Sequence, residues 1–346
     1  MNRIMHNGVS LLTTSEQKAA DPTREVLRVE NLSVAFGTER DRVALQDVSF
    51  TIHSGEVVAL VGESGCGKSL TALSVMGLLP PEASVLGGSI KVCGNEIIGT
   101  PERQLRRYRG AVMGMVFQDA MVALNPLIPV GRQIDEALRI HTDFGRSVRR
   151  ANVISLLEAV GVPDPVNRLR QLPHQFSGGL RQRIMIAMAL IVEPRLIIAD
   201  EPTTALDVTI QAQILEVLKD ITQSRGTAVL FITHDMGVVA EIADRVIVMY
   251  GGHIVESSDV VDIFAAPAHP YTDALLRSVP RADSPRDVDL PAIPGVVPTL
   301  GAISAGCPFR TRCTNATEEC SVMPPLESIQ PGRLVACWHP HIDSKE

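Results

Sequence analysis

The octapeptide at residues 62–69, GESGCGKS, constrains the fold more than any other part of the chain. It lies between a continuous apolar run, Val57 to Val61, and an apolar segment of helical character, Leu70 to Leu79. It therefore matches the pattern G-x-x-x-x-G-K-[ST] in the strand, loop and helix setting that the pattern requires. Glycines let the backbone wrap around a phosphate chain with its N–H groups pointing inward, and the helix N-terminus adds partial positive charge. The sequence predicts a phosphate-binding loop within an α/β domain.

Two side chains of this loop have predicted roles of their own. Lys68 would reach the β- and γ-phosphates of a nucleotide, and the Ser69 hydroxyl would coordinate Mg²⁺. Further contacts with the nucleotide are expected from Gly62, Ser64, Gly65, Cys66, Gly67 and Leu70. The alternative, a chance glycine-rich turn, is disfavoured because Lys and Ser occur at the required positions between a strand and a helix.

The charge and hydropathy of the chain limit its partners. A net charge of −7 and a pI near 5.8 give no reason to expect a nucleic-acid partner. The longest uninterrupted apolar run, Ile184 to Val192, is too short to span a bilayer. A mean hydropathy of +0.15 is nevertheless high, a first indication that another subunit covers some apolar surface. Residues 1–26 lack periodicity and are interpreted as a disordered leader.

Patterns on either side of the loop predict further strands. Val26 to Val34 and Ala44 to Ile52 alternate apolar and polar residues, which favours antiparallel strands beside the strand of the phosphate loop. Phe36 lies between them and could stack on an adenine ring, although a packed or surface Phe is an equally good interpretation of the residues alone. Gly87 to Ile98 predicts short strands with a Gly94-Asn95 turn.

A helical insert is predicted after the next strand. That strand, Val112 to Phe117, ends at Gln118. From Asn125 to about Ala189 the apolar spacing is helical, which indicates an insert of roughly sixty residues within the α/β domain. The insert ends in Ser177-Gly178-Gly179, a turn that opens into an apolar helix whose N-terminus can hold an anion.

Acidic and imidazole side chains follow two further apolar strands. The strand that begins at Arg195 ends in Asp200, placed to hold Mg²⁺, and Glu201, placed to polarise an attacking water. A solvated acidic turn is the alternative for this pair, and the phosphate loop upstream disfavours it. His234 follows the strand Ala228 to Ile232, and the end of a buried parallel strand faces the ligand crevice.

The last eighty residues differ in composition from the rest of the chain. Repeated prolines begin near residues 266–270, where we place a domain boundary. The final forty residues contain Cys307, Cys313, Cys320 and Cys337, where an even distribution of six cysteines would put fewer than one. Disulfides are disfavoured in a chain with a predicted phosphate-binding loop and no apparent export signal, which favours a metal site. Structural zinc ligands usually form close pairs, whereas five, six and sixteen residues separate these cysteines, so a [4Fe–4S] cluster is preferred and Zn²⁺ stays the alternative.

Residues 27–266 resemble the nucleotide-binding domain of ABC transporters. The matching positions are Gly62 to Ser69 as the Walker A loop, Gln118 as the Q-loop, Ser177 to Arg183 as the signature, Asp200 with Glu201 as the Walker B end, Asp207 in the D-loop, His234 as the switch histidine and Phe36 at the adenine-stacking position. The resemblance implies a P-loop NTPase core with an antiparallel β subdomain and a helical subdomain at about 119–189. It implies ATP and Mg²⁺ as cofactor and ion, with Ser69, Gln118 and Asp200 as the Mg²⁺ ligands. Glu201, His234 and Gln118 would be catalytic.

In the family, two such domains sandwich two ATP molecules. By resemblance, Ser177, Gly178, Gly179 and Asp207 would then contact nucleotide held by the phosphate loop of the other subunit. The signature here reads Phe-Ser-Gly-Gly-Leu instead of the commoner Leu-Ser-Gly-Gly-Gln, which leaves its Ser-Gly-Gly centre intact.

Other segments resemble the oligopeptide and dipeptide importers within that family. They are Phe117 to Asp119 with Leu124 to Pro126, Ser177 to Leu190, and His269 to Thr272 with the tail to Cys337. The resemblance implies that residues 267–346 form an importer-type C-terminal extension with a four-cysteine cluster site. It also implies a heterodimer with a sister ATPase, two permease subunits, an extracytoplasmic solute-binding protein and a peripheral position at the cytoplasmic face of the plasma or inner membrane. Some relatives import nickel or glycans, so these solutes stay alternatives to peptides.

The segment from Asp119 to Ile134 is predicted to dock a permease helix. It follows Gln118 and carries the apolar residues Met121, Leu124 and Leu127, which we expect to be exposed, in a poorly periodic stretch; a packed loop is the alternative.

Two other classes of protein use the same cassette. A DNA-repair or chromosome-maintenance ATPase would need a long coiled coil between Gln118 and Ser177, where only about sixty residues with several prolines lie. A ribosome-associated translation factor would normally need two cassettes in one chain, and this chain has one. Neither alternative fits the sequence.

Overall fold

The computed structural model describes residues 23–37, 42–203, 206–279, 293–296 and 306–341. The leader predicted over residues 1–26 therefore lies almost wholly outside the described residues. The first strand begins at Glu25. The division into a leader, a domain at 27–266 and an extension at 267–346 stays a prediction.

The described residues form twelve strands and eleven α-helices. The strands are β1 (Glu25–Phe36), β2 (Arg42–His53), β3 (Val57–Val61), β4 (Ala83–Val92), β5 (Asn95–Glu96), β6 (Met113–Val116), β7 (Leu196–Asp200), β8 (Ala228–Ile232), β9 (Arg245–Tyr250), β10 (His253–Asp259), β11 (Glu327–Gln330) and β12 (Arg333–Val335). The helices are α1 (Lys68–Met76), α2 (Glu102–Tyr108), α3 (Ala120–Ala123), α4 (Val130–His141), α5 (Arg146–Ala159), α6 (Pro165–Arg168), α7 (Gly178–Leu190), α8 (Val208–Arg225), α9 (Met236–Ile242), α10 (Val260–Ala265) and α11 (Pro270–Arg277).

A four-stranded antiparallel sheet has the order β2-β1-β4-β5. Alternation in β1 and β2 places one face of each strand in the core, which confirms the prediction that they are antiparallel partners. They do not pair with β3, so their expected place beside the strand of the phosphate loop is wrong, but their separate sheet agrees with the antiparallel β subdomain that the resemblance implies. The turn between β4 and β5 is Cys93-Gly94, both with positive φ, instead of Gly94-Asn95, because Asn95 pairs with Val92.

The larger sheet has the order β11-β12-β10-β9-β3-β8-β7-β6. Strands β9, β3, β8, β7 and β6 are parallel to one another, and β10 and β12 continue the sheet with antiparallel pairs. Every residue of β3, β6, β7 and β8 is buried, which explains why these segments are continuous apolar runs instead of alternating ones. The carboxyl ends of these four strands lie along one edge of the sheet, where ligands bind in open α/β folds.

Helices α3 to α7 occupy the region where the sequence predicts a helical insert. Their apolar faces form one core that includes Ile134, Leu138, Val153, Leu157 and Ile184. Replacing a fully buried Leu such as Leu138 by Ala would cost about 2–5 kcal/mol of folding free energy. The insert thus consists of five α-helices, of which α3 and α6 are four residues long, and α7 packs against the edge strand β6 of the larger sheet.

The end of α1 differs from its prediction. The helix begins at Lys68 and ends at Met76, three residues before the predicted end at Leu79. Gly77 has φ +61° and its N–H donates to the carbonyls of Leu73 and Ser74. A glycine in this left-handed conformation ends a helix by satisfying its last carbonyl groups.

Candidate nucleotide-binding site

The loop at residues 62–69 joins β3 to α1 at the carboxyl edge of the larger sheet. Gly62 has φ +148°, and a Cβ there would lie 2.2 Å from the carbonyl oxygen of Met249. Gly67 has φ +108°, and a Cβ there would lie 2.5 Å from a methyl carbon of Leu45. Only glycine is compatible with both positions, since backbone and packed side chains occupy the space.

Lys68 folds back over the loop. Its Nζ donates hydrogen bonds of 2.7 Å to the carbonyl oxygen of Gly62 and 3.0 Å to that of Glu63. The side chain is buried. The ammonium is therefore held at the concave side of the loop, where a phosphate would displace the two carbonyls as its partners.

Ser69 and Asp200 come together across the end of β7. The Ser69 hydroxyl donates a 3.2 Å hydrogen bond to Oδ1 of Asp200. Burial raises the pKa of the Asp200 carboxyl, and the bond from Ser69 acts in the opposite direction. A hydroxyl and a carboxylate are oxygen ligands of the kind that Mg²⁺ takes beside nucleotide phosphates, so the two residues suit the predicted ion.

Glu201 is held by two residues from neighbouring strands. Gln118 Nε2 donates a 2.9 Å hydrogen bond to one carboxylate oxygen, and His234 Nδ1 lies 3.0 Å from the other. The Glu201 backbone has φ +47°, a left-handed conformation uncommon outside glycine, and its N–H donates to the Ile232 carbonyl at 2.9 Å. A strained backbone at a strand end is characteristic of functional positions. The three residues predicted to be catalytic thus form one contiguous group.

These residues border a cavity of about 330 Å³. Its walls are formed by Phe36, Ala44, Ser64, Gly65, Gly67, Lys68, Ser69, Leu70, Gln118, Glu201 and His234. Phe36 therefore lies at the site, although its stacking role stays a prediction. The sequence did not single out Ala44, because nothing in its local pattern distinguishes it from the other small residues of β2.

Several predicted nucleotide-binding residues lie outside this cavity. Cys66 is buried, and burial raises the pKa of its thiol. The Ser177 hydroxyl accepts a 3.4 Å hydrogen bond from the Leu180 N–H at the start of α7, and Ser177 and Gly178 are exposed. Asp207 accepts a 3.0 Å hydrogen bond from the Ile210 N–H at the start of α8. Within a single chain, these helix starts do not reach the cavity of the phosphate loop.

A second, small cavity is lined by all four C-terminal cysteines, Cys307, Cys313, Cys320 and Cys337, together with His269. None of the cysteines forms a disulfide. Burial raises the pKa of the Cys337 thiol to about 11 and also raises those of Cys307 and Cys313. No group of three or more His, Cys, Asp or Glu side chains among the described residues has the geometry to hold a metal ion. The predicted cluster and its zinc alternative are therefore not confirmed.

The segment after Gln118 is only partly exposed. Leu127 is 84% exposed and Met121 is 50% exposed. Leu124, in contrast, is buried in the helical core, so the expectation that it belongs to an exposed apolar surface is wrong.

No helix within the described ranges has both the length and the apolar character needed to cross a bilayer.

Comparison with known proteins agrees with this geometry. Residues 45–204 match the family model for ABC transporters, and residues 255–320 match the model for the C-terminal region of oligopeptide/dipeptide transporters. The chain is 50% identical to a dipeptide transport ATP-binding protein of Bacillus subtilis, with 91% of this chain and 94% of that protein covered. It is 46% identical to an oligopeptide transport ATP-binding protein of Salmonella typhimurium, with 96% of this chain and 98% of that protein covered.

A solved structure has the same fold over the cassette. It is described as the dimeric post-hydrolysis state of an ATP-binding cassette bound to ADP and Pi. Its TM-score is 0.61 at 26% identity, over 68% of this chain and 98% of that one. The chain belongs to the ABC transporter ATP-binding protein family, in its oligopeptide/dipeptide transporter group.

Proposed function

We propose that this chain binds and hydrolyses ATP to energise the import of peptides through a membrane permease. The observation that carries the proposal is the convergence of Gln118, Glu201 and His234 on one side of the cavity whose other side is the phosphate loop. Its relatives' names, which specify dipeptide and oligopeptide transport, support peptides as the solute.

Each side chain of the cavity has a task in this proposal. Lys68 and the loop N–H groups bind the phosphates, and Ser69 with Asp200 and Gln118 would hold Mg²⁺, which supplies positive charge to the β- and γ-phosphates. Glu201 orients the attacking water and accepts hydrogen bonding from it. His234 contacts the γ-phosphate. Gln118 senses the γ-phosphate and couples its presence to the segment that follows, Asp119 to Ile134. Phe36 supports the adenine ring.

The proposed active form is a dimer with a sister ATPase subunit. The exposed Ser177 and Gly178 lie at the N-terminus of the thirteen-residue helix α7, whose partial positive charge suits a phosphate. Because they lie outside the cavity of their own chain, we assign them, with Gly179 and Asp207, to nucleotide bound by the sister subunit. The dimeric cassette structure supports this arrangement. A heterodimer is the form proposed here.

We place two permease subunits against the segment that follows Gln118. Exposed Met121 and Leu127 provide apolar contact area on that segment. The segment directly follows Gln118, whose side chain donates a hydrogen bond to Glu201. Closure of the two ATPase subunits would therefore move the permease helices that contact this segment. The chain would lie peripherally at the cytoplasmic face of the membrane, with an extracytoplasmic solute-binding protein on the other side and no nucleic acid involved.

We also propose that the cysteine cavity holds a [4Fe–4S] cluster in the C-terminal extension. The backbone N–H of Tyr271 donates a 3.0 Å hydrogen bond to Nδ1 of His269, so Nδ1 is the acceptor and the proton of the neutral ring is on Nε2. Burial lowers the pKa of His269 to about 3, which keeps the ring neutral. Its buried Nε2 has no hydrogen-bond partner in the described chain, although His269 lines the cavity of the thiols.

These features suit an anionic occupant with sulfur atoms. Four thiolates are the usual ligand set of a cubane cluster, and a buried N–H donor stabilises its sulfurs. Zinc is the alternative, but structural zinc ligands usually form close pairs in the sequence, and five, six and sixteen residues separate these cysteines.

Transport by the purified complex tests the proposed function. The complete transporter is reconstituted in vesicles, and ATP hydrolysis is measured with the binding protein loaded with peptide, with Ni²⁺ or with an oligosaccharide. Stimulation by peptide alone, together with peptide uptake, is expected. Stimulation by Ni²⁺ or the oligosaccharide, with none by peptide, would contradict peptide import.

A further inference from the structure

Glu63, the second residue of the phosphate loop, is contacted by side chains from the C-terminal segment, residues 267–341. Its backbone N–H donates a 2.8 Å hydrogen bond to the Tyr271 hydroxyl. Its carboxylate accepts hydrogen bonds of 2.6 Å and 3.1 Å from the two terminal nitrogens of Arg312. Its carbonyl oxygen is one of the two, with that of Gly62, that accept hydrogen bonds from Lys68 Nζ. One loop residue therefore connects the C-terminal segment to the lysine expected to bind phosphate.

Arg312 is itself rigidly held. Its side chain is only 3% exposed, and it donates three further hydrogen bonds to the Tyr250 hydroxyl and to the carbonyl oxygens of Ile293 and Pro294. Bidentate pairing with a carboxylate restricts the guanidinium to one plane, so this contact sets the direction of the Glu63 side chain. Arg312 is buried and Glu63 is partly exposed, and removing either partner leaves the other charge without its counter-ion.

Tyr271 is also immobilised by packing. Its ring is fully buried and lies 4.6 Å from the ring centre of Tyr250 and 5.3 Å from that of Phe309. Burial raises the pKa of its hydroxyl, so the group stays neutral while it accepts the bond from Glu63. Three rings thus fix the position of the hydroxyl that receives the loop N–H.

We propose that Arg312 and Tyr271 are positioning residues for ATP binding: they hold the phosphate loop in its binding shape and neutralise the Glu63 carboxylate. The inference rests on the proposed placement of the nucleotide phosphates at residues 62–69. An unpaired carboxylate in that loop would repel a triphosphate, and a displaced Glu63 would move the backbone beside Lys68. The C-terminal segment therefore sets the nucleotide affinity of its own chain.

The effect should fall on binding more than on chemistry. Arg312 and Tyr271 do not contact Glu201, Gln118 or His234 through any described hydrogen bond. Their loss weakens phosphate binding equally before and during the reaction, which raises KM and leaves kcat nearly unchanged. A residue needed only for folding would instead lower the amount of active complex and with it the apparent kcat.

The test uses the complete transporter with the sister subunit's catalytic carboxylate substituted, so that the turnover measured belongs to this chain. We expect Arg312→Met to raise the KM for ATP and the Kd for a non-hydrolysable ATP analogue by about tenfold, with kcat changed less than about twofold. Tyr271→Phe, which keeps the ring packing and removes only the hydroxyl, should raise both about threefold. Combining Arg312→Met with Glu63→Gln should recover part of the lost affinity, because the double variant has no unpaired carboxylate.

A matched control is Arg277→Met, which removes an exposed arginine of the same segment paired with Asp273 and should leave KM unchanged. Wild-type KM in both Arg312→Met and Tyr271→Phe would overturn the proposal. So would a loss of kcat alone that Glu63→Gln does not relieve, since that pattern indicates a purely structural role. Lys68→Ala separates the two hypotheses: if it leaves Kd unchanged, the placement of the phosphates is wrong, and if it weakens binding while the Arg312 and Tyr271 variants do not, only the positioning role is wrong.

Discussion

The side-chain amide of Gln118 donates a 2.9 Å hydrogen bond to the carboxylate of Glu201. The two residues are 83 positions apart in the sequence and follow the adjacent parallel strands β6 and β7. Together with His234 on the other oxygen, Gln118 determines which way the carboxylate faces. An oriented carboxylate can align a water molecule for attack, and the same amide can register whether a nucleotide is present.

Glu201→Gln should retain ATP binding and lose turnover. The amide is close in size to the carboxylate, so the cavity keeps its shape, but it can no longer accept a proton from the water. We expect kcat to fall by about 100-fold or more with little change in nucleotide affinity. Both are measured in the assembled complex with the sister site disabled. Hydrolysis near the wild-type rate would exclude Glu201 from this role.

Lys68→Ala should weaken nucleotide binding itself. The substitution removes the ammonium that donates hydrogen bonds to the Gly62 and Glu63 carbonyls. When nucleotide binds, this ammonium is expected to donate to the phosphates instead. Loss of a charge-assisted contact of this kind should raise Kd by about tenfold or more. Titration with a fluorescent ATP analogue measures the change. An unaltered Kd would show that the phosphates bind elsewhere.

Cysteines introduced in the segment after Gln118 should crosslink to a permease. Leu127→Cys is the most informative position because its side chain is 84% exposed. Val261→Cys, 71% exposed on α10, is the control and should give no permease adduct. Adducts are identified by mass spectrometry of the intact complex. If the Leu127 and Val261 variants behave alike, this segment does not dock the permease.

Anaerobic purification followed by iron, acid-labile sulfide and zinc analysis tests the cysteine cavity. About four irons and four sulfides per chain are expected, with both lost in Cys320→Ser and retained in Cys93→Ser, whose thiol lies outside the cavity. Stoichiometric zinc without iron would contradict the cluster and indicate a structural zinc site instead.

Stability should decrease on acidification partly because of His253. Burial on β10 lowers the pKa of this ring below its usual value of 6.5, with Asp47 opposing the shift. The unfolded chain therefore takes up a proton before the folded chain does as the pH falls below 6.5. The free energy of unfolding then decreases, by at most about 1.4 kcal/mol per pH unit for one proton. His253→Gln should flatten this part of the pH profile in denaturant titrations; an unchanged profile would contradict the assignment.

Local sequence was sufficient for the phosphate loop and for the strands that lead to it. Glycines at residues 62, 65 and 67, followed by Lys68 and Ser69, form a pattern whose meaning depends only on neighbouring residues. The continuous apolar runs of β3, β7 and β8 indicated buried parallel strands because both of their faces are covered. Gln118, Asp200 and His234 could therefore be placed at the ends of strands before their contacts were known.

Tertiary structure alone decided which of these residues touch and which do not. Gln118 and His234 meet at Glu201 because β7 pairs with β6 on one side and β8 on the other, and strand order is not encoded in any local pattern. The division of the strands into two sheets has the same origin, as does the burial of Leu124 in the helical core. The contact between Glu63 and Arg312 joins residues 249 positions apart, and the pattern of the phosphate loop leaves the residue type at position 63 open and does not indicate its partner. Such a contact depends on how the C-terminal segment packs against β9, which only the folded chain defines.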